Sequence, residues 1–440
     1  MNRSSNQQCM VGGAHRTRVK QPLAIVGAST RSAAASAVRA GFQPIAADLF
    51  ADADLRQIAT ATRISPYPEG LADWLRAIEP PAWMYTGALE NHPGLVDEMA
   101  WIAPLWGNPG DVLERVRSPW ELSSVLTSAG LLFPETRESS EGLPLDGAWL
   151  AKSYQGASGS GVRAWNEERG TRSEERGTRS EERGARSEER GARREEGGAR
   201  SEEREESRCF QRRIDGAPCA AVFVAADGTA RLLGVTRQLI GEAWLGALGF
   251  QYAGSVGPLP LGAATQLILA KLGDVLAAEF ELVGLFGVDF MLAGEEVWTV
   301  EVNPRYTASV EVVERFSGVR AIALHAAACS FSGETQRAGP SSAPDASADA
   351  SVRSSSRAHG KAILFARRGL QVSQRFFDYA MAEALRTPWP ALADVSPAGT
   401  PIEAGRPICT VFADGATTND VEGRLRHRVI ELEAIVYDPG

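Results

Sequence analysis

The chain has 440 residues, 44% hydrophobic and 23% charged, enough for two or three domains with ordinary cores. A net charge of −9 argues against nucleic acid as the main partner, because phosphate binding needs a clustered basic surface. No apolar run approaches the roughly 20 residues of a membrane span, and no membrane partner is expected. Segment 1–20 is polar and basic without the apolar core of a secretory signal; it reads as a disordered leader, with a cytoplasmic location by default.

Arginine carries nearly all the positive charge; the lysines are Lys20, Lys152, Lys271 and Lys361. A site that needs a flexible ammonium on a phosphate therefore has few candidates. Cys9, Cys209, Cys219, Cys329 and Cys409 are scattered without C-x-x-C or zinc spacing and read as reduced, structural thiols. The histidines are equally dispersed, which gives a histidine-based triad little support.

From residue 22, PLAIVGAS reads as a strand, TRSAAASAVRAG as a helix and FQPIAADLF as a second strand ending near Asp48. This β-α-β order predicts a parallel sheet covered by helices. A further strand at Trp83–Gly87 completes a small doubly wound domain over 21–115. The turn Gly27-Ala28-Ser29-Thr30 lacks a G-x-G-x-x-G pattern, so a tight strand-to-helix turn is favoured over a phosphate-binding loop. Glu90 and Asn91 either line a cleft or start a helix.

Next comes WLAKSYQGASGSGVRAW, a strand carrying Lys152, a loop with Gly156, Gly159 and Gly161, and a second strand. Between 166 and 207 the chain repeats an E-E-R-G-(T/A)-R-S unit. The repeat has no apolar position to bury and a glycine in most copies, so it reads as a disordered insertion rather than a coiled coil. Strands follow at Phe210–Ile214, Ala220–Ala225 and Arg231–Gln238, joined by Asp-Gly turns that favour antiparallel β. Then come a helix, Ala263–Glu281, and two strands, LFGVDFMLA and EEVWTVEVNPR, turning at Gly294-Glu295. Segment 332–357, rich in Ser, Ala, Gly and Pro, reads as a linker, and 358–440 as a compact β-rich C-terminal domain.

Side chains alternate along a strand, so Glu301, Asn303 and Arg305 share a face while Val300 and Val302 take the other. If Asp289 pairs across the hairpin, one surface offers two carboxylates and an amide, hard oxygen ligands suited to Mg²⁺ between ATP phosphates. Arg305 beside them suits an anionic substrate or a phosphoryl group in transfer.

The G-V-D-F strand, the E-x-N-P-R strand and the upstream lysine-and-glycine loop, in that order, resemble the ATP-grasp superfamily. The likeness is to its carboxylate-amine ligases and to the carboligases related to biotin carboxylase. It spans about 22–440 apart from the insertion and linker. It implies an α/β and α+β multidomain ATP-grasp fold: an N-terminal Rossmann-like (pre-ATP-grasp) domain over 21–115 and an ATP-grasp domain over 116–331. The lid would lie at about 148–215, and a small β-rich domain would close the chain.

By the same resemblance Lys152 contacts ATP phosphates, and Gly156, Ser158, Gly159, Ser160 and Gly161 form the lid loop, where glycine lets backbone N–H groups approach phosphate oxygens. Gln211, in place of the more usual glutamate, and Ile214 would meet the ribose and adenine. Asp289, Glu301 and Asn303 would hold the metal, and Arg305 would face the phosphoryl and acyl groups. Arg237 would lie near substrate. The segment VRSPWELSSVL lacks the second ATP-contacting lysine of many relatives, and Arg117 is its available substitute.

The implied activity is a ligase that uses ATP with Mg²⁺ (or Mn²⁺) to make an acyl phosphate from a small-molecule carboxylate, then transfers the acyl group to an amine or similar nucleophile. A homodimer is compatible with the resemblance. Carboxylation through carboxyphosphate and a non-catalytic ATP-binding regulator stand as alternatives.

Overall fold

The computed structural model describes residues 20–154, 156, 159, 161–166, 208–331 and 357–438. The expectations for the leader (except Lys20), for almost all of the Glu/Arg insertion and for the linker up to 356 fall outside the described residues, as do Ser158 and Ser160.

The N-terminal domain is a parallel sheet of β1 (Pro22–Gly27), β2 (Gln43–Asp48), β3 (Thr60–Arg63) and β4 (Trp83–Tyr85), ordered β3-β2-β1-β4. Leu23 to Val26 are fully buried, the continuous apolar run expected of a parallel strand covered on both faces. Strand β3 is an edge with mostly exposed side chains, which is why no apolar pattern announces it. The Gly27–Thr30 turn is tied to Asp48, Thr86 and Gly87. Asp48 Oδ2 accepts from the Thr30 backbone N–H and hydroxyl at 2.7 and 2.8 Å, and Thr86 Oγ1 donates to the Ser29 carbonyl at 2.9 Å. A Cβ at Gly27 would sit 2.0 Å from Thr86 Oγ1. Packing is what this glycine serves.

The lid is an antiparallel sheet of β5 (Thr136–Arg137), β6 (Asp146–Ser153), β7 (Val162–Asn166) and β8 (Arg208–Arg212), ordered β5-β8-β6-β7. Leu143, Trp149 and Phe210 form its small core.

The large sheet holds β9 (Ala217–Ala226), β10 (Thr229–Ile240), β11 (Tyr252–Gly257), β12 (Gly284–Ala293) and β13 (Glu296–Asn303). It continues into β14 (Ala358–Phe365), β16 (Leu392–Ala393) and β18 (Pro407–Gly415), while β15 (Leu370–Gln371) pairs with β17 (Pro401–Ile402). Its order is β13-β12-β9-β10-β11-β14-β18-β16. The C-terminal segment thus extends the central sheet and adds helices Gln374–Ala384 and Thr418–Val436. The latter is started by a Thr417/Asp420 capping box and buries Val421, Leu425, Val429, Leu432 and Val436, a helical stripe.

Two faces of this sheet have separate roles. Helix Ala263–Glu279 covers one, its Leu269, Leu272 and Leu276 packing with Phe223, Phe286 and Phe290. The other carries Val222 and Leu285 against helix Val310–Ser317 and, through it, against Ala33, Ala34 and Ile25 of the N-terminal domain. One continuous core therefore joins the N-terminal sheet to the central sheet.

A buried ionic network reinforces that junction. Arg31 donates to both Glu311 carboxylate oxygens, at 2.6 and 3.0 Å, and to Asp394 Oδ1 at 3.2 Å; Lys361 Nζ reaches Glu311 Oε2 at 3.4 Å. Asp54 accepts the backbone N–H groups of Asp394 and Val395, both at 3.0 Å. Burial opposes the charge on Glu311, yet Arg31 and Lys361 hold its carboxyl well below the usual carboxylate range. The Glu311→Ala variant takes from Lys361 its carboxylate partner and leaves Arg31 only its contacts with Asp394 and Asp54. It is expected to lose about 3–5 kcal/mol of unfolding free energy; an unchanged denaturant midpoint would show that the network does not hold the domains together.

Candidate active site

The hairpin β12–β13 sets Asp289 opposite Glu301 and Gly287 opposite Asn303. Asp289 Oδ1 accepts from Gln238 Nε2 at 2.8 Å, and its Oδ2 accepts from Asn303 Nδ2 at 3.2 Å. Asn303 Oδ1 accepts from Arg305 Nη2 at 3.1 Å. The amide expected to turn its oxygen toward an ion thus turns its nitrogen to Asp289. A Cβ on Gly287 would lie 2.6 Å from Thr307, so the bare strand lets the 304–309 segment cross it.

Burial first, and the facing Glu301 carboxylate second, push Asp289 up to about 7, while Arg305, Gln238 and Lys152 pull the other way. Among the described residues no group of three or more His, Cys, Asp and Glu side chains gathers. The candidate ion site is two opposed carboxylates beside an amide, a hard donor set.

Arg305 also donates to Glu90 of the N-terminal domain, and through Nη1 to the Tyr306 carbonyl at 3.2 Å. Its guanidinium lies over Gly87. Glu90 sits in a short turn, Leu89–Asn91, with its side chain 4% exposed. Helix Pro93–Ile102 is preceded by His92 without a side-chain cap. Of the two readings of Glu90, lining the cleft is the one that fits.

Lys152 Nζ donates to Gln211 Oε1 at 2.9 Å and to the Val300 carbonyl at 3.3 Å. The lid ammonium therefore rests on the strand that bears Glu301. Lys152, Gly156, Gly159, Gly161, Gln211 and Glu301 line one cleft between lid and core, together with Arg117 and apolar Phe133 and Val302. Gly159 has φ +79°, and a Cβ there would be 1.9 Å from the Phe250 carbonyl oxygen. Only glycine lets the lid loop close this far onto the core.

Three expectations need correction or refinement. Arg237 is not in the cluster: Asp289 pairs with Ala220 and Ala220 with Thr236, so Thr236 and Gln238 share the site face and strand alternation turns Arg237 away. It is paired with Glu422 of the C-terminal helix. Ile214 lies beyond the end of β8, in the link to β9. Arg117 Nη1 donates to the Glu90 carbonyl at 2.8 Å and Asn91 Oδ1 at 2.7 Å, and Nη2 to the Tyr154 carbonyl at 3.3 Å. It bridges the N-terminal domain and the lid. Gln238 was missed by sequence reasoning; its signal was its even spacing from Thr236 on a strand facing the acids.

A cleft between an antiparallel lid and a core sheet, with a lid lysine reaching toward an acidic hairpin, is the arrangement of the ATP-grasp fold. Residues 116–309 match the family described as the ATP-grasp domain, and this part of the chain is an ATP-grasp domain. An ADP complex of N5-carboxyaminoimidazole ribonucleotide synthetase superposes with TM-score 0.60 at 14% identity, covering 94% of this chain and 97% of that one. L-amino acid ligase from Bacillus licheniformis superposes with TM-score 0.62 at 15% identity, covering 94% and 98%. The biotin carboxylase domain of Hydrogenobacter thermophilus 2-oxoglutarate carboxylase, solved with MgADP and bicarbonate, gives 0.60 at 14% identity over 95% and 94%. In sequence, 98 residues are 34% identical to the carbamoyl phosphate synthase large chain of Pseudomonas syringae pv. tomato, a match spanning 22% of this chain and 9% of that protein. Among the described residues no helix is long and apolar enough to cross a membrane.

Two outcomes are expected. The Asp289 carboxyl should titrate near 7 by carbon NMR and fall toward the ordinary range in Glu301→Gln. Because its folded value is raised, the proton it binds stabilises the metal-free fold at low pH, and that contribution should fade as pH rises through about 7. A flat titration near 4 would remove the opposed-acid description. Gly159→Val should hold the lid open and raise the ATP KM about tenfold, since the left-handed backbone alone costs an L-residue roughly 1–2 kcal/mol. An unchanged KM would mean that the loop need not close.

Proposed function

We propose that the chain is a Mg-ATP-dependent ligase that forms an acyl phosphate from a carboxylate and transfers the acyl group to an amine. The observation that carries this reading is the convergence of Asp289, Glu301, Asn303 and Arg305 on one side of the hairpin with Lys152 of the lid resting on the same strand. A carboxylate pair with one member pushed up to about 7 by burial and by its partner carries more negative charge than its neighbours balance, which fits a divalent cation.

Asp289 and Glu301, with Asn303 beside them, would hold magnesium or manganese, which supplies charge neutralisation between the terminal phosphates of ATP. Lys152 then holds the same phosphates from the lid, and the glycines of the loop bring backbone N–H groups against their oxygens. Gln211, which already accepts from Lys152, lines the same cleft from strand β8. Arg305 lies between this cluster and Glu90, the position from which a guanidinium can orient a substrate carboxylate for attack on the γ-phosphorus. It can then balance the charge of the acyl phosphate. No protein nucleophile is required. Alignment and charge carry the reaction.

ADP release should depend on an added carboxylate and amine, drawn from a panel of amino acids and simple acids. In Glu301→Gln it should fall by at least about a hundredfold, the scale of losing one electrostatic contact to the transferring group. A variant that turns over at the normal rate would refute the assigned ion site.

A further inference from the structure

Gln238 reaches the acidic pair from two strands away. In the central sheet Asp289 of β12 pairs with Ala220 of β9, and Ala220 with Thr236 of β10, so three adjacent strands share one register. Gln238 sits two residues beyond Thr236 and therefore points to the same face. Neighbouring strands lie about 4.8 Å apart, which puts β10 roughly 10 Å from β12. Ala220 has nothing beyond its Cβ to fill that span. Across it Gln238 Nε2 donates to Asp289 Oδ1 at 2.8 Å. A side chain one methylene shorter falls short of this bond.

The chemistry of the contact matters as much as its reach. Asp289 faces Glu301 across the hairpin, and an ionised carboxylate only accepts hydrogen bonds. A lysine or arginine at 238 would neutralise the pair and take the place of a divalent ion. A glutamate would add a third like charge and no donor. An apolar side chain would leave Asp289 free to turn away from Glu301. Glutamine supplies an N–H donor and no charge, so it fixes one carboxylate oxygen and leaves the negative charge of the pair for an ion. The second oxygen, Oδ2, meets Asn303 Nδ2 at 3.2 Å, the longer of the two bonds. On the other side of Gln238, β11 places Ser255 opposite it. The Ser255 hydroxyl is engaged by Tyr252 Oη at 2.8 Å and Ser309 Oγ at 3.2 Å.

We infer that Gln238 is a positioning residue for the divalent cation: it locks the Asp289 carboxylate opposite Glu301 without adding charge, and so sets the affinity of the ion site. The inference rests on the ion site proposed above and adds a residue that holds a ligand rather than the ion. Groups that orient a metal ligand from behind are worth about 10–100-fold in metal affinity.

The test is direct Mn²⁺ binding to the full chain, read as loss of the free-ion EPR signal with and without ADP, and it needs no turnover. Gln238→Met, nearly isosteric but without the donor, should weaken Mn²⁺ binding at least about tenfold. Gln238→Asn, which keeps the amide one methylene short, should do the same. In both variants ADP affinity in EDTA, measured by calorimetry, should stay within about twofold of wild type, a split that a general loosening of the structure would not give. Wild-type Mn²⁺ affinity in both variants overturns the positioning role. So does a parallel weakening of metal-free ADP binding, and so does loss of the native fold in both, which makes the bond structural. Glu301→Gln separates this inference from the reading beneath it. If that variant also binds Mn²⁺ as the wild type does, the ion site itself is wrongly assigned. If it loses Mn²⁺ while the Gln238 variants do not, the ion site stands and Gln238 has no part in it.

Discussion

Two carboxylates facing each other across an antiparallel hairpin are the constraint around which this structure is arranged. Like charges at cross-strand spacing repel by on the order of a few kcal/mol at an effective dielectric of about 20, and the β12–β13 register leaves Asp289 and Glu301 no way to separate. What surrounds them is a set of donors. Gln238 comes from β10, two strands away, Asn303 from the pair's own strand, and Arg305 and Lys152 supply positive charge nearby. None of these neutralises the pair completely, since Arg305 is shared with Glu90. Burial first, and this residual negative charge second, raise Asp289, and the same charge suits the site to a cation.

Much of this was legible in the sequence because it depends on period-two alternation. Glu301, Asn303 and Arg305 follow one another at every second residue, and the turn at Gly294 sets Asp289 within pairing range. The lid lysine was legible because lysine is so scarce here. Arg237 shows the limit of arguing by resemblance. Its neighbour Gln238, not Arg237, has the parity of the site face, and the resemblance outweighed an alternation that the strand pattern already contained. Glu90 lies 215 residues from Arg305 along the chain, and no local pattern signals such a pairing. The long C-terminal helix was legible after all: its buried positions recur at helical spacing behind a capping box, but the strands before it dominated the reading of that segment.

The continuation of the central sheet into β14, β16 and β18 was hidden for another reason. Strand-to-strand pairing across an intervening segment as long as 332–356 is a non-local contact, and composition marks that segment only as a connection. The same non-locality conceals the Arg31–Glu311–Lys361–Asp394 network, whose members come from three parts of the chain. Its one sequence signal is that Glu311, Glu314 and Arg315 sit on a helix buried nearly all round, where charges persist only if paired.

These two ionic systems are joined by a single stretch of chain. From Asn303 to Arg315 successive side chains tie the core to its neighbours. Arg305 meets Glu90, the Tyr306 hydroxyl lies 2.9 Å from Ser32 Oγ, and Ser309 Oγ lies 3.2 Å from Ser255 Oγ. Glu311 then holds Arg31, and Glu314 accepts from Ser36 at 2.6 Å and from Arg39. Lifting the N-terminal sheet off the core would break nearly all of these at once and expose the shared apolar core as well. Among the described residues the lid is held by less: the Lys152 contact with Val300, the Gly159 approach to Phe250 and the Arg117 bridge to Tyr154. Rigid floor and light cover follow from that difference. Arg117 then has a further consequence. Its guanidinium touches both the lid carbonyl and the turn that holds Glu90, so the position of the lid and that of the turn are mechanically coupled.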